Sequence, residues 1–153
     1  LAPFLAIADK SAALAGRASP MPRVAEVKIS VHEDRRVARA FVRHAVASRL
    51  LNLARAGYDD ADYRALGVDL ERLARLRSSW DAGVTGEALH ALVDDAMIDS
   101  LFIAGDPQEC RAQVETLLPS LRTLGFAQIM FSEIGPDMRA SFDLLAKHVL
   151  PAL

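Results

Sequence analysis

Residues 24–31 and 126–131 are the two stretches of this chain that read as β-strand, and nearly everything between them carries helical punctuation. Strands so far apart in sequence cannot be hairpin partners. They need crossover connections, and crossovers make a parallel sheet with helices laid against it. The first stretch, Val24-Ala25-Glu26-Val27-Lys28-Ile29-Ser30-Val31, alternates β-branched residues with polar or small ones, the period of a strand with one strongly apolar face. The second, Phe126 to Phe131, reads as a short buried strand. The class is α/β. Two strands leave both sheet edges and much apolar surface uncovered, so more chain, or a partner, is expected to complete the sheet.

Helix signals fill the rest. Residues 3–15 join a first-turn proline to good helix formers, with Gly16 just past the end. The prolines at 20 and 22 make 18–22 a connector. From Glu33 to Ala56, Val42, Val46, Leu50 and Leu53 recur at helical spacing, and Glu33 and Asp34 sit where the helix dipole favours negative charge. Residues 58–100, broken at Asp59-Asp60, Gly67 and Gly83 to Gly86, read as a cluster of short helices. Gly105-Asp106-Pro107-Gln108-Glu109 supplies an N-cap aspartate, a proline at the first helical position and a glutamate three residues after the cap. Cys110, Val114, Leu117, Leu118 and Leu121 form one stripe behind it, Pro119 predicts a kink, and Gly125 is the stop. A last amphipathic helix is expected over 138–149, stopped by Pro151.

A chain of 153 residues that is 52% hydrophobic and 25% charged suits one globular domain and excludes disorder as the main state. A net charge of -2 gives no general electrostatic reason to hold a nucleic acid. The single cysteine, Cys110, can form no intramolecular disulfide, and the four histidines lack ligand spacing, so no metal is expected. No apolar run approaches a membrane span and no signal peptide is visible, which points to a soluble cytoplasmic protein. The start at Leu1 rather than Met, directly into a helix-like run, suggests a fragment of a longer chain.

Ser30-Val31-His32-Glu33-Asp34-Arg35, Phe102 to Cys110, Leu124 to Phe131, Ile134-Gly135-Pro136-Asp137 and His148-Val149-Leu150-Pro151 form a set of motifs. In this order and spacing they resemble the C-terminal part of the luciferase-like flavin and deazaflavin oxidoreductases, in particular the branch of the methylenetetrahydromethanopterin reductases. The resemblance spans nearly the whole chain. It departs at Asp106, where the family commonly has threonine; both cap helices. It implies the C-terminal portion of a (β/α)8 TIM-type barrel, in which 24–31 is the seventh strand, 126–131 the eighth, and about 58–100 a helical insertion. It further implies an oxidoreductase or monooxygenase that passes hydride between a deazaflavin coenzyme (F-420), or FMN, and a small organic substrate. The full-length protein would be a homodimer, and the piece alone inactive. The competing expectation is a non-catalytic α/β module that completes its sheet by dimerising or by binding a protein.

In such barrels the chemistry lies at the C-terminal ends of the strands. Two loops qualify here, Val31-His32-Glu33 and Ser132 to Pro136. Ser132, Glu133 and Gly135 are the candidates for cofactor contact and His32 for substrate contact, although each taken singly also reads as part of an ordinary turn. No catalytic acid or base stands out, as expected where the protein mainly positions a hydride-carrying cofactor. Arg35, Arg39 and Arg43, with Arg36 beside them, make a basic stripe that could meet a phosphate or a polyglutamate tail but reads first as a solvated face. Cys110 reads as a small buried hydrophobe, and Asp106 as a cap rather than part of an anion site.

Overall fold

The chain is described from a computed structural model, which covers residues 2–17 and 22–153. Of the expected connector, 18–21 lie outside the described residues. The elements run α1 (Ala2–Leu14), β1 (Arg23–Val31), α2 (Arg35–Arg55), α3 (Asp60–Ala65), α4 (Leu70–Asp81), α5 (Gly86–His90), α6 (Asp95–Asp99), β2 (Ile103–Gly105), α7 (Pro107–Thr123), β3 (Phe126–Ser132) and α8 (Met138–Leu144). No helix among the described residues is long and apolar enough to cross a membrane.

Aspartate side chains cap the helices one after another. Asp34, Asp59, Asp69, Asp94, Asp106 and Asp137 each accept a bond from a backbone N–H of the turn they open, satisfying donors that have no partner inside the helix. The expected box at α7 is complete: Asp106 accepts from the amides of Gln108 and Glu109, and Glu109 accepts from that of Asp106. The helix runs on through Pro119 to Thr123. The last segment is not one regular helix. After α8 it widens into a π turn over Leu145–Val149 and tightens into a 3-10 turn at Leu150–Ala152, so that Leu145 and Val149 reach the core under α7.

The two expected strands are parallel neighbours, with Val24 opposite Gln128 and Lys28 opposite Ser132. A third strand was not expected. β2 pairs in parallel with the far edge of β1 through Ile29–Ile103, Ser30–Ala104 and Val31–Gly105, giving the order β2-β1-β3. Three residues are too few to show a period of two, and they run straight into the cap of α7, which dominated the reading there. β3 is also not the buried strand expected. It has one neighbour and is covered on one face, so Ile129 and Phe131 are half-buried and Met130 is 52% exposed.

Side-chain alternation divides the core between the two faces of the sheet. Ala25, Val27, Ile29 and Val31 of β1 pack with Ile103 against Cys110, Val114 and Leu118 of α7. Phe102 and Ala104, on the opposite face from Ile103, join a second core built by Val42, Val46 and Leu50 of α2 with the short helices α3 to α6. Tyr63 is buried there, its hydroxyl donating to the Leu50 carbonyl across 2.7 Å. The chain steps from β1 to β2 in one direction across the sheet and from β2 back past β1 to β3 in the other. Right-handed crossovers then put α2 and α7 on opposite faces.

Candidate functional site

All three strands end at the same side of the sheet, and their following loops are stitched together by backbone bonds. The Val31 amide donates to the Ile134 carbonyl across 3.0 Å, and that of His32 to the Gly105 carbonyl across 3.2 Å. The loops carrying His32, Asp106 and Ser132 to Gly135 are thereby neighbours, the place where parallel α/β sheets keep their ligand sites.

Below those loops, on the face of β1 turned away from α7, the polar half of the strand's alternation meets that of β3. Glu26, Lys28 and Ser132 share this face through the register Glu26–Met130 and Lys28–Ser132. Ser132 Oγ donates to Glu26 Oε1 across 2.8 Å. The Lys28 ammonium lies 3.6 Å from Glu26 Oε1 and 3.8 Å from Glu133 Oε1, and 5.6 Å from the centre of the Phe102 ring. The Ser132 hydrogen bond, and next the Lys28 charge, hold the Glu26 carboxyl below the usual carboxylate range. Val24 and Met130 add exposed apolar surface to the same face. The outcome is an open wall with a hydroxyl, two carboxylates and one ammonium set among apolar side chains.

Glu133 completes this cluster with its backbone in the left-handed region, φ 59°, the one described non-glycine residue with positive φ. That conformation is strained for a residue with a Cβ and tends to mark sites where the surroundings dictate the backbone. Gly135 is held differently. Its φ is 151°, and a Cβ there would sit 2.1 Å from Ser141 Oγ and 3.0 Å from the Val31 carbonyl oxygen. The space its missing side chain leaves is thus filled by α8 and β1. His32 lies at the same end, where its Nδ1 accepts from the Asp34 amide across 3.0 Å. The structure therefore brings Ser132 and Glu133 into one polar cluster and sets His32 and Gly135 at its rim. Sequence reasoning missed Glu26 and Lys28. Their signal was the regular polar alternation in β1, which becomes a site only when the pairing with Ser132 is known.

The remaining candidates resolve into structure. The basic stripe of α2 is a solvated face only in part: Arg35 and Arg36 are exposed, Arg43 is half-buried and Arg39 is buried. Arg39, with its side chain 8% exposed, pairs with Asp95 across 3.3 Å and Asp99 across 2.7 Å. Arg35 pairs with Glu109 across 3.2 Å. A phosphate would have to compete with the carboxylates that already hold Arg35 and Arg39. Cys110 is fully buried, its thiol pointing to the Ser30 carbonyl, and burial pushes its pKa up to about 12. It is no nucleophile at neutral pH. Among the described residues no group of three or more His, Cys, Asp or Glu is placed to hold a metal ion.

Parallel strands alternating with helices, with a polar wall near the strands' C-terminal ends, are consistent with a part of a (β/α) barrel. No family model matches the chain. It is 32% identical over 96 residues to the 5,10-methylenetetrahydromethanopterin reductase of Methanopyrus kandleri, a match covering 62% of this chain and 26% of that protein. It is 29% identical over 96 residues to the enzyme of the same name from Methanolobus tindarius, covering 62% and 28%. The solved structure of the coenzyme F420 dependent tetrahydromethanopterin reductase of M. kandleri superposes with a TM-score of 0.71 at 27% identity, over 96% of this chain and 40% of that one. In sequence and in fold the chain is thus similar to part of these methylenetetrahydromethanopterin reductases. The matches span about a quarter of the length of the two reductases compared by sequence.

Proposed function

We propose that this chain is the C-terminal portion of a deazaflavin-dependent oxidoreductase, and that the open face of β1 and β3 forms one side of its cofactor cavity. The observation that carries the reading is the cluster of Glu26, Lys28, Ser132 and Glu133 beside exposed Val24 and Met130, in a chain whose relatives are F420-dependent reductases. A wall with a few placed polar groups on an otherwise apolar surface suits a flat, partly polar ring system. When bound, the deazaflavin supplies a hydride, for which no protein nucleophile is required.

In this reading Lys28 offers a donor to the ligand's oxygens and Ser132, whose one hydroxyl hydrogen goes to Glu26, offers an acceptor, while Glu133 fixes the loop that borders the ring. His32, at the end of β1, lies toward the substrate, a small organic molecule of the reduced-pterin kind on which the relatives act by name. Residues 58–100 are a helical insertion between β1 and β2, with the rest of the barrel contributed by polypeptide outside this sequence. The assembled protein works as a dimer in the cytoplasm.

Titrating the complete translated polypeptide with F-420 and, separately, with FMN tests the reading. A saturable change in F-420 fluorescence, weakened by Lys28→Ala and Ser132→Ala, is expected. Binding of neither cofactor, or F-420 binding that ignores both substitutions, contradicts it.

A further inference from the structure

His44 on α2 and His90 at the end of α5 are distant in sequence and meet in the fold, their ring centres 6.1 Å apart and the ring planes at 61°. Both line a groove of about 260 Å³ between α2, α4 and α5, together with Ser48, Trp80 and Leu89. None of the residues of the polar face on β1 and β3 borders this groove.

The His44 ring is held in one orientation. Its Nδ1 lies 2.9 Å from the carbonyl oxygen of Phe41, nearly one turn back on α2. A carbonyl only accepts, so Nδ1 carries the hydrogen and donates it, and Nε2 keeps its lone pair. Proteins present imidazoles to metal ions in this way: an oxygen on one ring nitrogen fixes the tautomer and orients the other nitrogen for the ion. His44 is exposed and His90 half-buried, so an ion reaches both from solvent.

We propose that His44 and His90 together bind one divalent transition-metal ion of the zinc, nickel or copper kind, with water completing its coordination. Zn–N bonds of about 2.0–2.1 Å put the centres of two imidazoles on one ion roughly 5–6.5 Å apart, from tetrahedral to linear angles. The observed 6.1 Å falls inside that span. Imidazole suits these ions, whereas calcium and magnesium take oxygen ligands. With two protein ligands rather than the four of a structural zinc centre, the ion is an exchangeable one.

The ion clasps α5 to α2. α5 has five residues, and its N-cap Thr85 makes no side-chain bond to the helix, whereas the aspartates before α3, α4 and α6 each do. Gly83 and Gly86 beside it both have positive φ, 83° and 62°. An ion that binds the folded pair and not the unfolded chain stabilises this weakly fixed helix. The site stands apart from the cofactor reading, since neither histidine lies on the face assigned to the cofactor.

Zinc titration of the complete translated polypeptide against a chromophoric chelator tests the site. His44→Asn and His90→Asn are each expected to weaken one zinc site by about tenfold or more, since even the loss of a supporting partner costs that much. The double variant is expected to lose no more than either single one, because both residues act on the same ion. Labelling with diethylpyrocarbonate, read by mass spectrometry, needs no variant. Zinc is expected to shield His44 and His90 together and to leave His32 and His148 as reactive as before. Binding that either substitution leaves unchanged, losses that add in the double variant, or shielding of one ring alone or of all four alike overturns the site.

Discussion

The Ser132 hydroxyl donates to the Glu26 carboxylate across 2.8 Å, joining residues 106 positions apart at the centre of the polar face. That bond is the main reason the Glu26 carboxyl titrates below its ordinary 4.5. A depressed folded-state value means that the carboxylate adds stability above the unfolded value, lost as pH falls through the lower folded one. Ser132→Ala is therefore expected to move the Glu26 midpoint up toward 4.5, read by carbon NMR of the side-chain carboxyl. An unchanged midpoint would show that Lys28 alone sets it.

Gly105 and Glu109 are coupled by space. A Cβ at residue 105 would come within 2.3 Å of Glu109 Oε2, the atom that caps the Asp106 amide. Gly105→Ala is expected to destabilise the chain, and less so when Glu109 is already Ala. A double-mutant cycle by urea denaturation should give a coupling of about 0.5–3 kcal/mol. Simple additivity would mean that the glutamate moves aside freely.

Removing the α7 cap has its own cost. Asp106→Ala leaves the amides of Gln108 and Glu109 without their acceptor, and a loss of about 1 kcal/mol is expected in the same denaturation experiment. Asp106→Thr should recover most of it, because a threonine hydroxyl can cap too.

Cys110 should resist iodoacetamide at pH 8 in the folded chain and react fully in guanidinium chloride. Its pKa near 12 and complete burial leave almost no accessible thiolate. Mass spectrometry of the alkylated protein reads the difference. Rapid labelling of the folded form would mean that α7 lifts from the sheet.

Local chemistry made much of this fold legible in the sequence. The start of α7 and the parallel pairing of 24–31 with 126–131 follow from a cap, a proline and two periods of alternation, signals contained within a few residues. β2 was hidden because three residues beside a strong cap carry no periodicity of their own. Arg39 was misread because its partners lie 56 and 60 residues away; a cation every fourth residue reads as a wet face until those carboxylates are folded against it. Ser132 and Glu133 could be named from their place after a strand. Glu26 and Lys28 could not, because a polar residue facing a cavity and one facing bulk water look alike until the register is known.

The central claim is that the face bearing Glu26, Lys28, Met130 and Ser132 is an inner wall against which the cofactor lies. Hydroxyl-radical footprinting of Met130, 52% exposed here, tests it directly in the complete polypeptide with and without F-420. Strong protection of Met130 on adding the cofactor, with Met138, exposed on α8, oxidised equally in both, is the expected result. Met130 oxidising at the same rate with the cofactor bound as without it would contradict the claim.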